Sequence, residues 1–211
     1  MPLPAPVITA TRPSSSMVIA PRLDGSAYSG PTPDYRMDRD GTAQRVSTRR
    51  HRRMSSTWAV TGPRHAGITV SNLDRALEFY IDTLGLELLW RREYAEPEIR
   101  DIVGVPDATS FDIAMVQVPG GEFQIELLEY RGCERRSGAT SPADYGTGHI
   151  CLFVDGIDAL YAELAEKGVQ FRSPRGPVEM TGGANKGGKS LYSLDPDGYI
   201  VELHQRPPRA A

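Results

Sequence analysis

Hydrophobic and polar residues alternate along two short segments that begin two similar halves of the chain. Residues 64–70 and 148–154 each carry an apolar side chain at every second position, which is typical of a strand with one buried face. Apolar residues three and four positions apart follow each segment. They predict a helix that ends at Gly85 in the first half and at Gly168 in the second.

Further apolar runs predict three more strands in each half. They lie at 86–94, 111–118, 122–130, 169–173, 190–194 and 199–205. Asp195-Pro-Asp-Gly198 is a strong turn signal between the last two strands. A half-sheet of this size cannot bury both of its faces alone. We therefore expect an α+β fold in which two modules, about 63–130 and 147–206, form one domain over residues 61–206.

The two halves carry the same polar residues at matching positions. His65 and His149 begin the first strand of each half, and Glu126 and Glu202 lie inside a late apolar strand of each half. Because side chains alternate along a strand, all four lie opposite the apolar face. His204 shares the face of Glu202 but lies one pair further along, and we interpret it as a rim or surface residue.

These four residues predict one divalent metal ion. Two imidazoles and two carboxylates are suitable ligands for Zn, Ni, Co, Mn or Fe. A carboxylate inside an apolar strand also needs a partner, because a buried unpaired charge is costly. Four protein ligands leave two positions on a six-coordinate ion, which adjacent oxygens of a substrate can occupy. The ion would then stabilise an enediolate or enolate, and a glutamate released from it would act as general base.

Composition narrows the class of protein. The chain has 211 residues, of which 39% are hydrophobic and 24% charged, as expected for a globular protein. It contains no apolar run of the length that spans a membrane, and its N-terminus lacks the pattern of a signal peptide. Its two cysteines, Cys133 and Cys151, do not form a disulfide framework. We expect a cytoplasmic protein without a membrane partner.

The N-terminal residues differ from the rest. Residues 1–60 are rich in Pro, Ser and Arg and show no sustained periodicity, so we expect a disordered tail. Residues 1–53 carry nine Arg and four Asp, whereas the remainder is acidic, which argues against nucleic acid as a partner. Met54 follows the basic cluster 49–53 and is a candidate start of the native protein. Residues 207–211 form a short C-terminal tail.

Several motifs resemble the vicinal oxygen chelate superfamily, which includes glyoxalase I, methylmalonyl-CoA epimerase, extradiol dioxygenases and bleomycin and fosfomycin resistance proteins. The resemblance covers about residues 63–206. It rests on the stretches HAGITVSNLD (65–74), FYIDTLGL (79–86), ELL (126–128), GHI (148–150) and DPDGYIVEL (195–203). It implies paired βαβββ modules that form a cupped mixed sheet around one metal. Homodimers are common in such families, and a homodimer is expected here.

The resemblance also implies roles for individual residues. His65, Glu126, His149 and Glu202 match the positions that supply the metal ligands. By similarity to glyoxalase I, Glu202 is the first candidate for the general base and Glu126 the second. The full set of four ligands favours the lyase and isomerase branch over extradiol dioxygenases, which resemble a site with two His and one carboxylate.

Two positions differ from glyoxalase I. Asp82 stands where that family has an arginine that binds a carboxylate of glutathione, and Tyr130 stands where it has an asparagine. Replacing Arg by Asp reverses the charge that a carboxylate requires. Unmodified glutathione conjugates are therefore not the expected substrates.

Two long connections are expected to form the rim of the site. The Gly-rich loop 181–189 does not have the spacing of a phosphate-binding P-loop, which excludes a nucleotide site of that kind. It can close over a substrate, with Lys186 or Lys189 meeting an anionic group and Asn185 beside them. Residues 95–110 are the equivalent connection of the first half.

The sequence thus predicts a metal-dependent lyase or isomerase of glyoxalase I-like type. It would chelate neighbouring oxygens of a small-molecule substrate and stabilise an enediolate. An Fe(II) extradiol-type dioxygenase is one alternative, because an additional carboxylate does not exclude iron. A drug-binding or resistance protein that sequesters its ligand without turnover is the other. Sequestering relatives often lack the metal ligands, so the complete set favours an enzyme.

Overall fold

The computed structural model of the chain describes residues 35–37, 43–45, 57, 59–138 and 141–208. The chain divides into two units, Met1–Arg52 and Arg53–Ala211. In the first unit, strands Tyr35–Met37 (β1) and Ala43–Arg45 (β2) pair antiparallel. The basic cluster 49–53, Met54 and most of the predicted tail lie outside the described residues.

The first module contains four strands and two helical segments. They are β3 (Ala66–Thr69), α1 (Leu73–Leu77) with a π-helical continuation (Glu78–Thr83), β4 (Glu87–Tyr94), α2 (Pro97–Val103), β5 (Ser110–Gln117) and β6 (Gln124–Arg131). The sheet order is β3-β6-β5-β4, and only the β3–β6 pair is parallel. The predicted first helix is confirmed, and Gly85 follows it with a positive φ of 77°.

The second module repeats this topology. Its elements are β7 (His149–Phe153), α3 (Ile157–Glu166), β8 (Gln170–Phe171), β9 (Val178–Glu179), β10 (Lys189–Leu194) and β11 (Ile200–Gln205). The sheet order is β7-β11-β10-β8, with β7 and β11 parallel and β9 paired to β10. The predicted α+β repeat is therefore confirmed. The described residues form one mixed sheet per module, rather than a single sheet shared within one chain.

One hydrophobic core joins the two modules. It contains the apolar faces of both sheets and the inner faces of α1, its π-helical continuation and α3. Its residues include Ile68, Leu73, Tyr80, Leu127, Ile150, Leu164, Leu191 and Leu203. Burial of this apolar surface is the main stabilising contribution to the fold. Because strand side chains alternate, the opposite face of each sheet points away from this core. None of the helices in the described part of the chain is long and apolar enough to cross a membrane.

Helix α2 is not predicted from the sequence, where residues 95–110 are interpreted as a connection. Pro97 occupies its first turn and Gly104 ends it in the left-handed region, two signals that could have identified it. Around α2, Ile99 and Val103 pack against a second apolar cluster that contains Phe111 and Ile113. This segment therefore covers one end of the sheet face that carries Glu126.

A buried carboxylate connects the modules. Asp195 is 5% exposed and accepts a hydrogen bond from Tyr80 Oη, 3.1 Å away, in the π-helical segment of the first module. Its other oxygen accepts from the backbone N–H groups of Asp197 and Tyr199 in the β10–β11 turn. The turn motif thus holds its own backbone and also contacts the neighbouring module.

We expect Asp195→Ala to lower the free energy of unfolding by about 1–3 kcal/mol, because it leaves the buried Tyr80 hydroxyl and two N–H groups without an acceptor. Asp195→Asn retains an oxygen for the turn and a polar group for Tyr80, so it should cost clearly less. Denaturant unfolding of both variants measures the difference. Equal losses in the two variants would contradict this role of the hydrogen bonds.

Candidate metal centre

The first His–Glu pair lies where β3 and β6 run parallel. His65 directly precedes β3, and Gly67 is the register partner of Glu126 in β6. The distance from His65 Nε2 to Glu126 Oε2 is 3.3 Å, and both side chains are about a quarter exposed, 27% and 21%. A Cβ at position 67 would lie 3.8 Å from Glu126 Oε2. A methyl group at this position would therefore make ordinary van der Waals contact with the carboxylate without displacing it.

The second pair repeats this geometry. His149 begins β7, and Cys151 is the register partner of Glu202 in β11. The distance from His149 Nε2 to Glu202 Oε2 is again 3.3 Å. In the single chain His149 is the more accessible partner, with 44% of its side chain exposed against 18% for Glu202. The sequence repeat is therefore also a structural repeat at the level of the two donor atoms.

The donor atoms of each pair fit adjacent ligands of one metal ion. Two donors bound at about 2.1 Å with tetrahedral or octahedral angles lie roughly 3.0–3.4 Å apart. The observed separation of 3.3 Å is within this range in both modules. It is also longer than the roughly 2.7–2.9 Å of a charge-assisted hydrogen bond. Imidazole nitrogen and carboxylate oxygen are both ligands that divalent transition metals accept.

The structure of one chain brings the four predicted ligands together as two pairs. Among the described residues, no group of three or more His, Cys, Asp or Glu is close enough to hold a metal ion. We call the sheet face that carries each pair the ligand face; in the second module it also contains Cys151, Phe153, Ser190, Tyr192 and His204. Both ligand faces lie opposite the shared core, and we call the His–Glu pair on each of them a half-site.

His204 does not lie at the rim or surface, and this prediction was wrong. Its side chain is buried, with 5% exposure. Ser190 on β10 is its register partner, and Ser190 Oγ lies 2.8 Å from His204 Nδ1. The same hydroxyl donates to Glu202 Oε1 at 2.7 Å. The observed register pairs Leu194 with Ile200, one residue further along than a four-residue turn at 195–198 would place it, so the sequence prediction did not identify the contact.

Cys151 is a further neighbour of Glu202. Burial, and then the adjacent Glu202 carboxylate, raise the pKa of the Cys151 thiol to about 11. The thiol is therefore protonated at neutral pH and can donate to Glu202. The ring of Tyr192 lies against His149, with 5.4 Å between centroids. The second half-site thus contains hydrogen-bond donors around its carboxylate.

The chain matches a family model over the region that contains both half-sites. Residues 62–203 match the model described as the Glyoxalase/Bleomycin resistance protein/Dioxygenase superfamily. The chain belongs to this superfamily. This match confirms the predicted resemblance, and it covers nearly the same residues as the motifs, about 63–206.

Curated members of the superfamily that resemble the chain include two enzymes named lactoylglutathione lyase. The Schizosaccharomyces pombe protein is 30% identical over 144 residues, which cover 66% of this chain and 45% of that protein. The Haemophilus influenzae protein is 30% identical over 143 residues, 66% of this chain and 88% of that protein. A 2-epi-5-epi-valiolone epimerase from Actinomyces sp. is 29% identical over 146 residues, 68% and 78% of the two chains. The chain spans less than half the length of the S. pombe relative.

A solved structure shows the same fold. The glyoxalase family protein APC24694 from Bacillus cereus matches with a TM-score of 0.62 and 21% identity, and the match covers 72% of this chain and 99% of that protein. A domain from Frankia sp. matches with a TM-score of 0.51 and 22% identity, covering 70% and 99%. These similarities establish the superfamily fold of the second unit.

The three residues predicted for the rim of the site, Asn185, Lys186 and Lys189, do not lie together. Lys189 lies on the opposite face of β10 from Ser190, and its Nζ forms an ion pair with Asp158 of α3. It therefore lies on the helix side of the sheet and not on the ligand face. Asn185 and Lys186 are exposed in a loop that two backbone hydrogen bonds close, from the Met180 N–H to the Gly188 carbonyl and from the Gly187 N–H to the Met180 carbonyl. Their contact with a substrate stays a prediction.

Asp82 and Tyr130, the two residues that differ from the glyoxalase I pattern, lie in different surroundings. Asp82 is exposed in the π-helical segment. Tyr130 lies on the ligand face of the first module, where its ring and that of Phe111 form a T-shaped pair with 5.0 Å between centroids. Burial raises the pKa of the Tyr130 hydroxyl. The first module therefore presents an aromatic surface where the family relative has an amide.

Proposed function

We propose that this protein is a metal-dependent lyase or isomerase that acts on a small substrate with two neighbouring oxygens. The observation that carries the proposal is the pair of equivalent His–Glu arrangements, each with the donor spacing of adjacent metal ligands. The relatives that are named as lyases and as an epimerase support the same class of reaction. In the proposed reaction the first step is removal of an acidic proton from a substrate carbon.

We further propose that the working unit is a homodimer. Each chain presents two half-sites on outward faces, so a second copy can place its second module against the first module of its partner. Two such contacts, related by a twofold axis, create two equivalent sites with four ligands each. The exposure of His149 and of Phe153, which is 62% exposed, supports a partner on this face. The partner proposed is a second copy because only it supplies the matching His–Glu pair.

The residues of the chain have distinct tasks in this proposal. A divalent ion, when bound, supplies a Lewis acid that stabilises negative charge developing on the substrate oxygens. His65, Glu126, His149 and Glu202 would hold the ion, and Glu202 is the ligand that is released from it to act as base. Glu202 accepts the proton from the substrate carbon at Oε2, because its Oε1 already accepts from Ser190. The buried Met115, which pairs with Glu126 across β5 and β6, contributes an apolar wall that excludes water.

The proposal is tested by metal analysis of the full chain, purified without a histidine tag under anaerobic conditions. We expect about one ion of Zn, Ni, Co or Mn per chain, held by two histidines and two carboxylates. The His65→Ala/His149→Ala variant serves as control and should bind none. Iron in the protein would favour the dioxygenase instead. A chain that takes up no ion from added salts would contradict the enzyme and leave the sequestering protein.

A further inference from the structure

Two consecutive hydrogen bonds, between His204 and Ser190 and between Ser190 and Glu202, hold the Glu202 carboxylate in place. Ser190 Oγ donates to Glu202 Oε1 at 2.7 Å and lies 2.8 Å from His204 Nδ1. A hydroxyl group carries one hydrogen, and here it is directed to the carboxylate. His204 Nδ1 must therefore carry the hydrogen of the second bond. The bonds run in one direction, from His204 through Ser190 to Glu202.

This arrangement leaves one buried polar atom of His204 unpaired. His204 is 5% exposed, and its Nε2 is buried without a hydrogen-bond partner among the described residues. An unpaired buried polar atom destabilises a protein, and an apolar side chain at this position would avoid the cost. The Phe153 ring packs against the imidazole in a T-shaped arrangement, with 5.8 Å between centroids. The ring is thus held in the orientation that directs Nδ1 to Ser190.

The first module provides an internal comparison. Leu128 lies two residues after Glu126, as His204 lies two residues after Glu202. Ile113 is the register partner of Leu128, as Ser190 is of His204. The positions that support Glu202 are therefore apolar in the first module. Within the described part of the chain, Glu126 has no ion-pair or hydrogen-bond partner other than His65.

We propose that Ser190 and His204 are positioning residues for Glu202. They hold Oε1 and thereby leave Oε2, the atom beside His149, as the donor toward the metal and the substrate. The inference rests on the proposed metal site, and it adds that the two glutamates of that site are not equivalent. Glu202 keeps its orientation through Ser190 even when it is not bound to an ion, whereas Glu126 depends on the ion and His65.

Binding of Co²⁺ to the metal-free full chain tests this inference. Ser190→Ala should weaken Co²⁺ binding by about tenfold or more, since residues that orient metal ligands typically have effects of this size. It should also change the visible absorption of bound Co²⁺, which reports the ligand geometry. Ser190→Thr retains the hydroxyl and should restore both affinity and spectrum. His204→Leu introduces the leucine found at the equivalent position of the first module and should behave like Ser190→Ala. His204→Asn keeps an N–H donor for Ser190 and should behave more like the unaltered chain.

Ser193→Ala is the matched control. Ser193 lies on the same strand but on the opposite face, where its hydroxyl donates to the Val201 carbonyl at 2.8 Å. This variant should lose stability without losing Co²⁺ affinity. If Ser190→Ala and Ser193→Ala bind Co²⁺ as the unaltered chain does, the positioning role is wrong. If the unaltered chain itself binds no Co²⁺, the proposed metal site fails first, so the two failures are distinguishable.

Discussion

Two variants that each lack one His–Glu pair should bind metal only when they are combined in one dimer. His65→Ala/Glu126→Ala removes the first half-site, and His149→Ala/Glu202→Ala removes the second. Each variant alone should lose tight Co²⁺ binding, because every site in its homodimer lacks two of four ligands. A mixed dimer brings together one intact first module and one intact second module, so it contains one complete site.

The expected recovery is quantitative. Random pairing of the two variants during co-expression makes about half of the dimers mixed, each with one complete site out of two. The mixture should therefore bind about one quarter of the Co²⁺ that the unaltered protein binds per chain. Titration followed by visible absorption measures this fraction.

A matched mixture tests whether recovery requires one intact pair from each of two copies. Chains with His65→Ala and chains with Glu126→Ala both carry their change in the first module, so every site in any dimer of them lacks one of its four ligands. This mixture should gain nothing over its components. If the first mixture also fails to recover binding although the chains form dimers, the sites are not shared between two copies.

Glu202→Gln should lower kcat by about 10²–10⁴-fold, which is the usual contribution of a positioned general base. Glutamine keeps the size of the side chain and an oxygen for the Ser190 hydroxyl, but it cannot accept the substrate proton. When both proteins are saturated with metal, KM should change little because the shape of the site is retained. Substrates are sought among 2-oxoaldehyde–thiol adducts and acyl thioesters with an acidic α-proton. Exchange of that proton with deuterium from solvent, followed by NMR, isolates the proton-transfer step.

Glu126→Gln is the control for this prediction. It removes an equivalent carboxylate and leaves Glu202 in place, so deuterium exchange should decrease less than in Glu202→Gln at equal metal content. The opposite order would assign the base to Glu126. A ligand that binds both variants and the unaltered protein equally well without any exchange would identify a sequestering protein.

Much of the fold followed from short-range patterns. Alternation in 64–70 and 148–154 predicted the two first strands, and the glycines at 85 and 168 predicted the helix ends. These features depend on backbone geometry within a few residues, so the sequence carries them directly. Helix α2 is encoded just as locally, because Pro97 and Gly104 mark its two ends.

One part of the candidate site could be predicted from the sequence, and another part could not. The sequence by itself determined that His65, Glu126, His149 and Glu202 each lie opposite the apolar residues of their own strand, because side chains alternate along a strand with period two. Only the tertiary structure decided that one chain groups them as two pairs and that Lys189 pairs with Asp158. The pairs depend on the parallel pairing of β3 with β6 and of β7 with β11, and the Lys189 contact depends on the packing of α3 against its sheet. These contacts join residues that are far apart in the sequence, so no local spacing encodes them.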